Sequence, residues 1–73
     1  MYDDIRRSIE EGTRLREKSV TINFQVLTNA ERLEGMSGSE FCELMQIEPV
    51  WATEFRKMIR LSQYLKQQGL SVK

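Results

Sequence analysis

The segment SGSEFCELMQIEPVWATEF, residues 37–55, decides the fold of this chain. It predicts two short helices joined by a tight turn, because apolar or small residues recur at helical spacing on both sides of a polar break. The packing positions are Phe41, Cys42, Met45, Ile47, Ala52 and Phe55. Phe41 and Met45 lie inside the predicted angle between the two helices, and Ile47 fills its corner. Two helices that cross steeply over a turn of about three or four residues need this arrangement.

Local signals mark where both helices begin. Ser37 and Glu40 have the spacing of a reciprocal capping box, which predicts a helix over about residues 38–46. Pro49 suits the first turn of the next helix, where its missing N–H leaves no hydrogen bond unmade. The second helix is therefore predicted over residues 49–68.

The paired helices resemble the helix-turn-helix superfamily of DNA-binding domains over roughly residues 27–70. The resemblance implies an all-α fold, a three- to four-helix bundle with a helix-turn-helix core, whose second helix presents the recognition surface. One residue departs from the superfamily pattern, because Gln46 occupies the turn position that usually holds glycine. Gln46 must either adopt a left-handed conformation, at about 1–2 kcal/mol, or belong to a different turn.

Length and composition indicate one small globular domain. The chain has 73 residues, of which 40% are hydrophobic and 30% are charged. We predict a single helical domain over residues 1–73, with an N-terminal helix or arm at 1–18 and the helix-turn-helix core at 19–70. No apolar run approaches the length of a membrane span, and the N-terminus lacks the apolar stretch of a signal peptide. One cysteine cannot pair within the chain, which favours a cytoplasmic location.

The side chains that enzymes use most are scarce. The chain contains no histidine, the commonest general base and metal ligand. Cys42 lies at a packing position without a histidine to activate it, so a buried structural thiol explains it better than a nucleophile. No glycine-rich phosphate loop or paired-cysteine motif occurs. We therefore expect no enzymatic activity, no cofactor, no metal and no small-molecule substrate.

The N-terminal arm contains a short predicted helix. Residues 3–11 place Ile5 and Ile9 on one side, and Gly12 is a plausible end of the helix. The apolar stripe is narrow, so this helix needs a partner surface. That surface is either a second copy of the chain, which makes Ile5 and Ile9 half of a homodimer seam, or the core of the same chain.

Residues 13–34 support two interpretations. Apolar or small residues from Leu15 to Leu33 repeat at spacings of three and four, which is typical of a helical face. Apolar residues also alternate with polar ones at Val20, Ile22, Phe24 and Val26, as in a half-buried strand. Helix is favoured because its pattern is longer. A strand there would instead indicate a ribbon-helix-helix-like dimer whose intervening polar residues face DNA.

Charge is unevenly distributed although the net charge is zero. Residues 20–48 contain one arginine and five glutamates, which gives a net charge of −4. Residues 49–73 contain five cations and one glutamate, which gives +4. The final helix therefore offers a basic surface to a polyanion, or to an acidic surface on a second copy of the chain.

The final helix has two distinct faces at about 100° per residue. The predicted core face carries Trp51, Ala52, Phe55, Met58, Ile59, Ser62 and Leu65. The opposite face carries Thr53, Arg56, Lys57, Arg60, Tyr64 and Gln67. The resemblance implies that this second set binds double-stranded DNA, with the helix in the major groove. Cations at 56, 57 and 60 suit phosphates and guanine edges, Thr53 suits a lesser polar contact, and Tyr64 or Gln67 suits backbone contacts.

The predicted function is accordingly that of a small sequence-specific transcriptional regulator, for which dimerisation would supply paired half-sites. Two acids count against it, since Glu48 and Glu54 lie near the start of the recognition helix and would repel phosphate. A run of charges is also commonly just the solvated face of a helix. The alternative is a helical protein-interaction module, such as an adaptor, an inhibitor or an assembly subunit, without nucleic-acid binding. Zero net charge, the two acids and the apolar Leu61 and Leu70 at the edge of the face favour this alternative.

Overall fold

The protein is described here by a computed structural model, which covers residues 2–69. Over that range the chain forms five helices and no strand. They are α1 (Asp3–Arg14), α2 (Lys18–Thr28), α3 (Ala30–Leu33), α4 (Gly38–Met45) and α5 (Trp51–Gln67). The all-α prediction is confirmed. The helix-turn-helix core was predicted to end at residue 70, which lies outside the described residues.

The strand interpretation is wrong, because residues 20–26 lie within α2. Ile22 and Val26 are fully buried, one helical turn apart, whereas Val20 and Phe24 are exposed. The alternation arose because the outer face of α2 also carries apolar residues, so that a helical pattern and a two-residue pattern coincide. The ribbon-helix-helix-like dimer required that strand, so this alternative is wrong as well.

The first helix extends beyond its predicted end. Gly12 lies inside α1 and is buried, and the chain turns instead at Arg16, which has a φ of 61°. A Cβ atom at Gly12 would lie 2.1 Å from Oγ1 of Thr21. The absence of a side chain at Gly12 therefore lets α1 and α2 approach closely, a packing role that the sequence did not reveal.

The core lies between four helices. α1 packs on α2 and α4, while α5 packs on α2 and α4, so that α1, α2, α5 and α4 surround the core in that order. The buried hydrophobic residues are Ile5, Ile9, Ile22, Val26, Leu33, Phe41, Cys42, Met45 and Phe55. The rings of Phe41 and Phe55 stack with their centroids 4.5 Å apart, joining α4 to α5.

The homodimer seam predicted at Ile5 and Ile9 needs correction. Their side chains are 0% and 1% exposed and belong to the core of their own chain. The narrow stripe on α1 is satisfied by α2 and α4, so these side chains present no surface to a second copy.

The helix-turn-helix unit is α4, the turn at residues 46–50, and α5. The predicted capping box is present: the Glu40 N–H donates to Ser37 Oγ at 3.1 Å, and the Ser37 N–H donates to Glu40 Oε1 at 3.1 Å. Gln46 takes the left-handed conformation, with φ 58° and ψ 45°, while the Ile47 N–H donates to the Cys42 carbonyl. This turn ends α4 and sends the chain back over the core.

The start of α5 differs slightly from the prediction. The helix begins at Trp51, and Pro49 lies in the turn before it, where its carbonyl accepts the Ala52 N–H at 3.0 Å. The predicted core face is confirmed, since Phe55 is buried and the other six positions are half-buried. The opposite face of α5 is left on the surface.

Candidate nucleic-acid interface

The six predicted DNA-binding residues lie together on the exposed side of α5. All of them, Thr53, Arg56, Lys57, Arg60, Tyr64 and Gln67, are exposed. At 3.6 residues per turn and 1.5 Å per residue, they occupy an arc about 100° wide and about 21 Å long. Lys57, Arg60, Tyr64 and Gln67 also line one shallow surface depression. We call this set the α5 arc.

The cations of the α5 arc are available to a ligand. Arg56 and Arg60 form no ion pair with any residue from 2 to 69. Lys57 Nζ lies 3.7 Å from Glu54 Oε1 one turn earlier, and the lysine side chain is 64% exposed. Pairs so long and so exposed contribute little, so a phosphate can compete for Lys57.

Lys66 has a different role from the other cations of α5. Its Nζ lies 3.3 Å from Glu31 Oε1 on α3, so it faces a neighbouring helix. It thus provides an internal comparison: a cation of the same helix that lies outside the α5 arc.

Glu48, one of the two acids that count against DNA binding, forms a charge pair that the sequence did not show. Its Oε1 accepts a hydrogen bond from Lys18 Nζ at 2.7 Å and another from Trp51 Nε1 at 3.0 Å. The Lys18 hydrogen bond is the largest cause that lowers the pKa of Glu48 from 4.5 to about 2. The positive charge of Lys18 offsets the negative charge of the carboxylate at close range, so Glu48 repels a phosphate less strongly.

The same cluster fixes the start of α5. Lys18 Nζ lies 5.9 Å from the centroid of the Trp51 ring, within cation–π range. Lys18 begins α2, Glu48 lies in the turn before α5, and Trp51 begins α5, so the three side chains join two helix starts. We call this set the Lys18 clamp.

Val50 is a further surface residue at the end of the turn. Its side chain is 73% exposed, and by helical position it lies beside Thr53 and Lys57. Apolar side chains pack against thymine methyl groups in protein–DNA complexes.

Three further observations concern the thiol, metal ligands and membrane-spanning helices. Burial, with a smaller effect of the Glu48 charge, raises the pKa of the Cys42 thiol, so that it stays protonated near neutral pH. Residues 2–69 contain no group of three or more side chains able to hold a metal ion. None of the described helices combines the length and the apolar character that crossing a membrane requires.

Fold and surface together define a helix-turn-helix domain: a short capped helix, a left-handed turn, and a second helix with an exposed basic face. Residues 1–68 match the model of a protein family described as an HTH-like domain, and the chain belongs to this family. No curated protein and no solved structure matches it. At a general level, membership suggests a DNA-binding regulator.

Proposed function

We propose that this protein is a sequence-specific transcriptional regulator that binds double-stranded DNA by placing α5 in the major groove. The observation that carries the proposal is the α5 arc, in which Arg56 and Arg60 are exposed and form no ion pair with the described residues. An exposed basic face on the second helix of a helix-turn-helix unit lies where such folds contact base edges. The proposal includes a cytoplasmic location and assigns no catalytic step to the chain.

The residues of the α5 arc divide by their distance from the turn. Thr53 and Arg56 lie in the first two turns of the helix, where a recognition helix lies deepest in the groove. Lys57 and Arg60 follow, with donors for guanine edges or phosphates. Tyr64 and Gln67 lie further along, where the duplex backbone crosses the helix.

Charge also sets the orientation of the complex. Glu40 and Glu43 are exposed on α4, and residues 20–48 carry a net charge of −4. A duplex is therefore attracted to the α5 side and repelled from the acidic side. A protein of zero net charge can bind a polyanion in this way only through a restricted surface.

Selection of bound sequences from random duplex DNA, followed by mobility shift at several salt concentrations, tests this proposal. The logarithm of affinity should fall by about 0.9 per contacted phosphate for each decade of salt. Replacing Lys57 and Arg60 together by alanine should abolish the shift and leave the circular dichroism spectrum unchanged. Lys66→Ala is the matched control, because it removes one cation from α5 outside the α5 arc. Absence of a shift at low salt, or an equal loss with Lys66→Ala, would reject the proposal.

One observation favours a protein-interaction module as a second candidate. Val50, Leu61 and Tyr64 are exposed large hydrophobic residues on the same side of α5 as the cations. Mixed apolar and basic faces also bind acidic helices. This candidate replaces the first if selection from random duplex DNA enriches no sequence, while a tagged chain recovers one stoichiometric protein partner that Lys57→Ala and Leu61→Ala release.

A further inference from the structure

The outer face of α2 is apolar although it lies on the surface. Val20 is 66% exposed and Phe24 is 54% exposed, and Leu27 beside them is half-buried. Spacings of four and three residues place the three side chains in one stripe, opposite the fully buried Ile22 and Val26. We call this stripe the α2 face.

No charged residue occurs between Ser19 and Ala30, in a chain that is 30% charged. The exposed faces of α1, α4 and α5 all carry acids or cations, which makes α2 the exception. A helix that faces solvent ordinarily carries charged residues on its outer side. A contiguous uncharged apolar stripe that includes an exposed phenylalanine is typical of an interaction surface.

We propose that a second copy of the chain covers the α2 face, forming a twofold dimer. In such a dimer the same surface meets itself, so any net charge on it would repel its counterpart. The α2 face has none, whereas the α5 arc and the acidic side of α4 would both repel themselves. Antiparallel pairing of α2 brings Arg16, at one end of the face, toward Glu31 at the other end of the second copy. Arg16 forms no ion pair with residues 2–69. Glu31 lies 3.3 Å from Lys66 of its own chain, but its side chain is 72% exposed and can accept a second cation.

The position of the α2 face leaves the α5 arc uncovered. α2 and α5 are neighbours around the core, so their outer faces lie on adjacent sides of the bundle. Packed helices lie about 8–10 Å apart, so the path from α5 through both α2 helices to the second α5 spans at most about 30 Å. Half-sites one turn of DNA apart are about 34–36 Å from centre to centre, which is of the same order. This functional consequence rests on the proposed function, whereas the association itself does not.

Sedimentation equilibrium of the full chain without DNA, from about 1 µM to about 1 mM, tests the dimer by mass action. The expected mass approaches about 17 kDa, twice the 8.6 kDa of one chain. Phe24→Gln removes one buried ring from each side of the interface and should raise the dimer dissociation constant at least about thirtyfold. Val20→Lys, at the other end of the stripe, places like charges against each other and should give a monomer.

Leu44→Gln and Val50→Gln are the matched controls, since both replace exposed apolar residues away from the α2 face. Circular dichroism establishes that each variant is folded, and two substitutions within the face keep the test decisive if one of them fails to fold. A mass of 8.6 kDa at every concentration, or equal dissociation by Leu44→Gln, overturns the dimer. A monomer that shifts DNA would reject only this inference, whereas a dimer that never shifts DNA would reject only the proposed function.

Discussion

Gly38 is the point at which α4 rests directly on α5, and alanine there should disturb both helices. A Cβ atom at this position would lie 2.7 Å from Ala52 Cβ, 3.0 Å from the Ala52 carbonyl oxygen and 3.1 Å from its Cα. Carbon atoms in ordinary contact are about 3.5–4.0 Å apart. Because the neighbouring atoms are the Cβ and backbone atoms of Ala52, no side-chain rotation relieves the overlap. The start of α5 must move by about 1 Å.

The cost of Gly38→Ala follows from two opposing effects. Overpacking a close contact costs about 1–3 kcal/mol, whereas alanine is favoured over glycine in a helix by about 0.5–1 kcal/mol. The difference lies between about 0 and 2.5 kcal/mol. We expect a net loss near the middle of that range, about 1–2 kcal/mol, out of a total of roughly 4–11 kcal/mol for a domain of this length. At about 4–8 °C per kcal/mol, the Tm should fall by roughly 4–16 °C.

Urea unfolding followed by Trp51 fluorescence and by circular dichroism measures this loss. Ser39→Ala is the control, because it changes the next residue of α4 at an exposed position. Adding Ala52→Gly to Gly38→Ala removes the nearest of the three overlapping atoms. The double variant should therefore be more stable, by about 1 kcal/mol, than the sum of the single losses predicts. A Gly38→Ala variant that unfolds at the same urea concentration as Ser39→Ala, or a coupling energy of zero, would refute this account of the α4–α5 contact.

Three further outcomes are expected. Gln46→Gly should raise the free energy of unfolding by about 0.5–1 kcal/mol, since glycine tolerates the φ of 58° that strains glutamine, and a lower urea midpoint would contradict this. The pKa of Glu48 is lowered on folding, so its stabilising effect is complete above about pH 4.5 and is lost as pH falls through about 2. The Tm of the wild type should therefore exceed that of Glu48→Gln at pH 6 and approach it near pH 2, and a constant difference over that range would contradict the Lys18 clamp. Asn23 Oδ1 is buried without a hydrogen-bond partner among residues 2–69. Asn23→Ala should therefore leave the free energy of unfolding unchanged or raise it by up to about 1 kcal/mol in the same urea assay. A loss of about 1 kcal/mol would contradict this expectation.

The elements predicted best were those encoded by neighbouring residues. Ser37 and Glu40 satisfy each other within one turn, so their spacing alone was enough to locate the start of α4. The two faces of α5 were likewise predictable, because helical periodicity assigns each residue to a direction once the core positions are known. Gln46 belongs to the same group, since the left-handed turn was one of the two outcomes that the sequence allowed.

What the sequence did not predict depends on residues that are far apart along the chain. The sequence predicted that Gly12 ends a helix. Its packing role depends on the contact with Thr21, which exists only because α1 and α2 cross there. Ile5 and Ile9 fit an interface between copies as well as a core, because a narrow apolar stripe does not specify what buries it. The compensation of Glu48 depends on Lys18, 30 residues earlier, so no local pattern announces it.

The Lys18 clamp has a consequence for how ionic strength acts on this molecule. Added salt screens any phosphate bound at α5, and it also weakens the partly exposed lysine–carboxylate pair at the root of that helix. We therefore expect the slope of log affinity against log salt concentration to indicate more phosphate contacts than the protein makes. Lys18→Met lacks the Lys18–Glu48 pair. Repeating the salt titrations with this variant would separate the counterions released from the nucleic acid from the ions that bind Lys18 and Glu48 when their pair breaks.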